Sequence, residues 1–302
     1  MNYIVLDLEW DSVYSVKHHR FLNQIIQIGA IKLDEKLNII DTFDVIVKSS
    51  LSKKLTKRFV ALTGITPEIM NNGISLTDAV LRYNRFVGKD FTMLTWSTSD
   101  LYTILENSKY LLPKSVSFKF GKYIDLQSYV QNEMRQLGFE IKSQISLIHA
   151  AEMLNISAEG LELHTAKDDC LLTAALLKRF YNYEKMLPYI KNTDDPEFFE
   201  RLTFKSYTLT NIRDDNIKPQ DLIFSCDKCK RTAKCVTGWK YRNGWFSANF
   251  KCGECKRNFI GRVSFKKTYD NLIVKRKIVD LKAVEKKNDD NNKVQSVSET
   301  VQ

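Results

Sequence analysis

The sequence predicts an α/β protein, with a mixed sheet flanked by helices and a small β module at its C-terminal end. Three observations predict it. Strand-like runs come first and then alternate with helical patterns, which is the order of a mixed sheet covered by helices. Two C-x2-C pairs near the C-terminus bracket a hairpin signal. Charge also divides the chain. Residues 1–190 hold 22 basic and 21 acidic side chains, whereas residues 191–302 hold 24 and 15, so nearly all of the net +10 belongs to the second part.

Taking the elements in order, Tyr3–Glu9 is a short apolar strand. Ile25–Leu33 and Ile39–Val47 are two more, joined by the turn residues Asp34–Asn38 into a hairpin. Helical periodicity follows at Thr56–Leu62 and Leu76–Val87. Phe91–Trp96 is a strand and Asp100–Asn107 a short helix. Ser128–Leu137, Ser146–Leu154 and Lys167–Tyr183 are amphipathic helices. The pattern weakens across 186–220, where Asp194-Asp195-Pro196 and Asp214-Asp215-Asn216 are turn-like, and this stretch is expected to be a linker or adaptor. Residues 283–302 are polar and lack aromatics, as a disordered tail does.

Composition narrows the function classes. With 43% hydrophobic and 27% charged residues, the 302-residue chain has enough apolar content for a core of ordinary size. No run approaches 18 apolar residues, so no membrane helix is expected. Acidic residues interrupt MNYIVLDLEWD within seven positions and no basic segment precedes it, unlike a signal peptide. The expected compartment is the cytoplasm, where the six cysteines stay reduced and call for a role other than disulfides. The basic second part attracts polyanions, of which nucleic acid is the commonest.

Asp7 and Glu9 lie two apart on a strand and so share a face. Two carboxylates side by side stay ionised only with a cation between them, and hard oxygen ligands favour Mg2+ or Mn2+. Asp100 follows a strand and opens a helix, where it also suits an N-cap. His164 and Asp169 are five residues apart, which on an ideal helix leaves them about 140° from a shared face. Both reach one site if His164 precedes the helix and Asp169 sits in its first turns. Each motif alone has an ordinary structural explanation: a strand end, a cap, a helix start.

In this order and spacing, Asp7-Leu8-Glu9, Trp96-Ser97-Thr98-Ser99-Asp100 and His164-Thr165-Ala166-Lys167-Asp168-Asp169 resemble the DEDDh 3′–5′ exonucleases. Ile25-Ile26-Gln27-Ile28-Gly29-Ala30 resembles that family's second strand, and Leu62-Thr63-Gly64-Ile65-Thr66 its characteristic loop. The resemblance covers about residues 1–182. Trp10, Gln24, Gln27 and Ser97 depart from the usual pattern without touching the five motif positions. The resemblance implies a ribonuclease-H-like fold, a mixed five-stranded sheet flanked by helices, as a domain over residues 1–185. It implies two divalent ions, Mg2+ or Mn2+, held by Asp7, Glu9, Asp100 and Asp169, with His164 as the base. It further implies removal of nucleoside 5′-monophosphates from the 3′ end of single-stranded nucleic acid. RNA is favoured over DNA because the chain looks most like the stand-alone RNA-trimming branch. A DNA exonuclease and a non-catalytic RNA- or ribosome-binding adaptor are the alternatives. Leu8 and Trp10 flank the ligand strand and are candidates for contact with the terminal nucleotide, although strict alternation turns Trp10 away from Glu9 and toward a core. His18 and His19 suit a surface loop, and His149 a packed helix position.

Cys226-Asp-Lys-Cys229 and Cys252-Gly-Glu-Cys255, separated by 22 residues, each form a tight turn presenting two thiolates. Together they suit one structural Zn2+ in a zinc-ribbon module over residues 221–282. Trp239 to Phe246 alternates about Asn243-Gly244, a strong hairpin signal. Cys235 is a spare thiol, and Cys170 is expected to be buried. Residues 228–282 carry 16 basic and three acidic side chains, interleaved with aromatics. Trp239, Tyr241, Lys256 and Arg257 are therefore candidates for nucleic-acid contact, about half of the module's aromatics being expected in its core. Docking of a protein partner is a further possibility for this module.

Overall fold

The computed structural model describes residues 2–280; the tail expected over 283–302 lies outside the described residues. The chain divides into two compact units at residues 199 and 200.

The first unit begins with β1 (Asn2–Ser15), β2 (Arg20–Leu33) and β3 (Ile39–Ile46), then α1 (Lys57–Thr63), α2 (Pro67–Asn71) and α3 (Leu76–Val87). β4 (Phe91–Thr95), α4 (Ser99–Tyr110), β5 (Lys122–Asp125), α5 (Leu126–Gln136), α6 (Leu147–Met153), α7 (Ala166–Phe180) and α8 (Tyr183–Met186) follow. The sheet order is β3-β2-β1-β4-β5. β1–β2 and β2–β3 are antiparallel, while β4 runs parallel to β1 and β5 parallel to β4. This is the mixed five-stranded, ribonuclease-H-like sheet that the sequence predicts.

Both sheet faces are covered. Tyr3, Val5, Ile31 and Leu33 pack with Tyr129 and Met134 of α5, Ala150 of α6, and Leu172 and Leu176 of α7. On the other face Ile26 meets Phe59, Ile65 and Met70. Polar side chains fix the helix starts. Thr56, Thr66, Ser75, Asp125, Ser146 and Thr165 each accept a backbone N–H of the first turn.

Two differences from expectation have clear causes. β1 and β2 extend as a long hairpin, held by Glu106 and Asn107 of α4, which accept the Asn23 and Ile25 N–H groups, with Tyr14 and Phe21 paired edge-to-face at its outer end. β5 is four residues long, too short to show a period. His18 and His19 fall in the hairpin turn, as expected of loop residues. His149 is not packed: its side chain is 57% exposed and pairs with Glu152.

The first part of the stretch expected to be a linker or adaptor packs on the first unit. Lys191 exchanges backbone hydrogen bonds with Tyr123, Thr193 donates to the Gly121 carbonyl, and Phe198 lies against Tyr123, all within the first unit. The helix α9 (Pro196–Thr203) contains the division. β6 (Tyr207–Thr208) already belongs to the second sheet, and Leu209 to its core. Scattered apolar residues such as Ile190 and Leu209 anchor this stretch without any period that the sequence would reveal.

The second unit continues with β7 (Ala233–Cys235), β8 (Lys240–Arg242), β9 (Trp245–Cys252), β10 (Asn258–Lys267) and β11 (Leu272–Val279). All pairings are antiparallel in the order β11-β10-β9-β7, with β6 on β10 and β8 on β9. Asn243 and Gly244 both take positive φ, 51° and 77°, as a tight turn of this handedness between β8 and β9 requires. Among the described residues, no helix is long and apolar enough to cross a membrane.

Candidate active site and metal centre

Asp7 and Glu9 lie on β1 on the face covered by α7. Glycine at position 29 makes this packing possible. Gly29 pairs with Asp7 across the β1–β2 ladder, and a Cβ there would lie 2.3 Å from the Ala166 carbonyl carbon. The first turn of α7 therefore rests directly on the backbone of β2. Gln27 ties the same place together, its Oε1 accepting from the Ala166 N–H at 3.2 Å and its Nε2 donating to Asp44. Cys170 is fully buried and its thiol donates to the Val5 and Gly29 carbonyls.

The two acids at the start of α7 do different things. Asp168 accepts the Glu162 N–H at 2.8 Å and so closes the loop before the helix. Asp169 projects into the site. Carboxylate oxygens of Asp7, Glu9 and Asp169 all lie within 4.8 Å of one another. Asp100, 4% exposed at the start of α4, accepts the Leu8 backbone N–H at 3.1 Å, which seats it beside the same strand.

The electrostatics are those of buried carboxylates that repel one another. Burial pushes Asp7 well above the usual carboxylate range, with Asp100, Asp169 and Glu9 adding repulsion. Glu9 is pushed up to about 8 by burial and then by Asp169 and Asp100. Asp100 rises to about 7, burial outweighing the backbone N–H groups that favour its anion. Asp169 is also raised by burial, against the pull of the His164 backbone N–H and imidazole. One buried oxygen of Asp169, Oδ1, has no hydrogen-bond partner. Clustered anions together with an orphaned buried acceptor fit divalent cations with oxygen ligands.

The acids open into a cleft of about 490 Å3. Leu8, Trp10 and Asp11 border it from β1, and Trp96, Ser97 and Ser99 from the β4–α4 junction. Trp10 lines the cleft and does not turn into the core as strict alternation would have it. A bulge between Glu9 and Trp10 shifts the register, so Glu9 faces Gln27 and Trp10 faces Ile25, and the half-buried indole reaches the cleft. Leu8 is only 2% exposed.

Four further residues of this wall come from α1 and its cap: Thr56, Arg58, Phe59 and Leu62. The sequence offered no motif for them beyond the loop that follows. Asp11 supplies the anchor, accepting the Thr56 backbone N–H at 2.8 Å and its hydroxyl at 2.7 Å.

His164 stands two residues before α7 with φ of 68°, a left-handed conformation uncommon for a non-glycine residue. It adjoins Asp169 but is not part of the cleft lining.

In the second unit, sulfur atoms of Cys226, Cys229, Cys252 and Cys255 also gather within 4.8 Å. Cys226 and Cys255 are 3.5 Å apart and Cys229 and Cys252 3.4 Å, far beyond a disulfide bond. A tetrahedral site with ~2.3 Å metal–sulfur bonds needs sulfurs ~3.8 Å apart, so the cluster fits a four-thiolate metal site. The two turns match. The Cys226 thiol accepts the N–H groups of Cys229 and Lys228, which lower it to about 7, and Cys252 is lowered likewise by Cys255 and Glu254. Lys230 and Lys256 take positive φ at equivalent positions. Cys235 is exposed and lies outside the cluster, its thiol donating to the Thr237 carbonyl.

The remaining candidates for nucleic-acid contact fare unevenly. Trp239 packs against Phe224 and Phe250, and Tyr241 against Phe246. Lys256 donates to the Gly253 carbonyl of its own turn. Arg257 pairs with Asp227 at 2.9 Å and with Asp280 at 2.7 Å. Phe246, Phe250 and Phe259 are core.

A mixed sheet presenting a cluster of carboxylates in an open cleft suits metal-assisted hydrolysis of a phosphodiester. The profile of the Exonuclease (RNase_T) family matches residues 4–177, and the chain belongs to that family. Among solved structures, the nuclease domain of 3′hExo, a DEDDh family member bound to rAMP, is 18% identical with a TM-score of 0.50, covering 64% of this chain and 96% of that one. Cell-death related nuclease 4 is 23% identical (TM-score 0.49), covering 62% of this chain and 64% of that one. E. coli Exonuclease I in complex with a dA16 oligonucleotide is 15% identical (TM-score 0.43), covering 87% and 54%. The chain thus spans less than two thirds of cell-death related nuclease 4. No curated protein sequence matches it.

Proposed function

We propose that this exonuclease is a metal-dependent 3′–5′ enzyme that releases nucleoside 5′-monophosphates from single-stranded nucleic acid, RNA in preference to DNA. The observation that carries the reading is the convergence of Asp7, Glu9 and Asp169, beside Asp100, with one buried Asp169 oxygen left without a donor.

Asp7, Glu9 and Asp169 would hold one divalent ion, and Asp100 with Asp7 a second. When bound, Mg2+ or Mn2+ supplies Lewis-acid stabilisation of phosphoryl charge and activation of water. The chain does the rest. His164 takes the proton of the attacking water, a role suited to an imidazole near neutral pH. The water oxygen bonds to the terminal phosphorus, the bond from phosphorus to the penultimate 3′-oxygen breaks, and that oxygen takes up a proton. Trp10 and Leu8 border the terminal nucleoside, and Arg58 offers a guanidinium for phosphate on the cleft rim. The resemblance to RNA-end-trimming exonucleases supports RNA as the substrate. In the second unit a single Zn2+ on the four cysteines would be structural, its shell complete and without an open position.

The test uses 5′-labelled single-stranded RNA and DNA, with and without Mg2+, alongside the Asp169→Ala variant. The expected result is a ladder shortened from the 3′ end, faster on RNA, and lost without Mg2+ or with the variant. Tight binding with no shortening of either substrate would instead identify a non-catalytic adaptor.

A further inference from the structure

The strands of the second unit sort its side chains onto two faces, and one of these is a surface of a single charge sign. Phe246, Ala248, Phe250 and Cys252 of β9 and Phe259, Val263 and Phe265 of β10 point to the core. Directly opposed residues share a face. Arg276, opposite Val263, therefore belongs to the core side, and its guanidinium does lie 4.7 Å from the Phe224 ring.

The alternate positions make the second face. One row across the sheet reads Lys240, Ser247, Arg262 and Lys277. The neighbouring row carries Arg242 opposite Trp245, and Lys275 opposite Ser264. Lys234 lies opposite Lys251 toward one end, and Lys266 opposite Ile273 toward the other. That is eight cations. None of β7 to β11 contains an aspartate or glutamate. The cations are held in place: the Lys277 ammonium sits 4.5 Å, and the Arg262 guanidinium 5.6 Å, from the Trp245 ring centroid. Arg262 Nε is buried without an acceptor. Lys240, Lys251, Lys275 and Lys277 are exposed.

We infer that this face is a second nucleic-acid contact, tracking the phosphodiester backbone without reading sequence. Successive rows of cations on a rigid sheet, uninterrupted by any acid, complement a chain of phosphates. The face differs from the sites that motif reading suggests: Trp239 and Tyr241 lie on the core side and Arg257 is ion-paired, whereas Trp245 stands among the cations. The choice of nucleic acid over other polyanions rests on the exonuclease reading.

The test measures binding of a labelled single-stranded oligonucleotide by fluorescence anisotropy against salt concentration. It uses the full chain in an Asp169→Asn background, so that the oligonucleotide survives. Replacing Lys240, Lys251, Lys275 and Lys277 with Gln should lower the slope of log K against log salt by about 2.8, at ~0.7 per single-strand phosphate contact. The parent should then lose about 50-fold more affinity than the variant between 50 and 200 mM salt. Should the four-site variant not fold, the Lys275→Gln/Lys277→Gln pair gives half that change in slope. The control variant carries Gln at Lys36, Lys89, Lys114 and Lys142, exposed lysines of the first unit. An unchanged slope, or an equal loss in the control, overturns the inference. Tighter binding to phosphatidylserine vesicles than to the oligonucleotide, lost in the same variant, overturns it too. Trimming by the unmodified chain is followed in parallel. Trimming with an unchanged slope refutes this inference alone, and a lowered slope without trimming refutes only the exonuclease direction and metal dependence proposed above.

Discussion

Asp169 combines two unfavourable features, a buried oxygen with no donor and two carboxylate neighbours within 4.8 Å. Both are relieved by a bound cation, and this has a measurable signature in the metal-free protein. Glu9 and Asp100 are raised to about 8 and about 7, and Asp7 and Asp169 are raised as well. Between pH ~4 and ~8 the folded state then holds more protons than the unfolded chain, so stability falls as pH rises through that window. Replacing Asp7 with Asn should therefore raise the melting temperature of the metal-free protein at pH 8 and change it little at pH 5. Mg2+ should raise the melting temperature of the parent at pH 8 and that of the variant much less. Equal effects of the substitution at both pH values would contradict the electrostatic account. For His164, substitution by Asn should lower kcat ~100- to 10,000-fold with little change in KM, as loss of a general base does.

The contact between β2 and α7 decides where Asp169 points. Gly29→Ala would push a methyl group into the Ala166 backbone, which cannot move aside as a side chain can. The expected cost is ~1–3 kcal/mol by denaturant unfolding, together with a fall in activity as α7 shifts. Unchanged stability and activity would show that the helix tolerates the shift. This element level also separates what the sequence tells from what it hides. The acid motifs are legible because each is a short local pattern, within a strand or at a helix start, and the family resemblance supplies their convergence. The bulge opposite Glu9 and Trp10 is hidden, because nothing in Ile25-Ile26-Gln27 marks Ile26 as the unpaired residue. The α1 wall is hidden as well. Arg58 joins the site only through Asp11 gripping Thr56, a contact 45 residues apart in sequence. The same holds in the second unit, where Arg257 reads as a free cation until Asp227 and Asp280 are seen beside it.

The whole molecule joins a nearly neutral unit bearing a carboxylate cleft to a strongly basic unit bearing four clustered thiols. With a core as small as that around Phe250 and Phe259, a metal bound by the four thiols would supply a large share of the folding free energy. Mass spectrometry under native conditions should find one Zn2+ per chain. Cys252→Ser should abolish it and remove the second unit's unfolding transition in calorimetry while leaving that of the first. Loss of both transitions together would mean that the units do not fold separately.

In the function proposed, the cleft hydrolyses the last phosphodiester and leaves the phosphate on the released nucleoside. The most direct measurement is chromatographic identification of the first product from a single-stranded RNA labelled in its 3′-terminal nucleotide. Labelled nucleoside 5′-monophosphate should appear first, with Mg2+ present and Asp7, Glu9, Asp100 and Asp169 intact. Release of the label in an oligonucleotide, or as a free nucleoside, would contradict it.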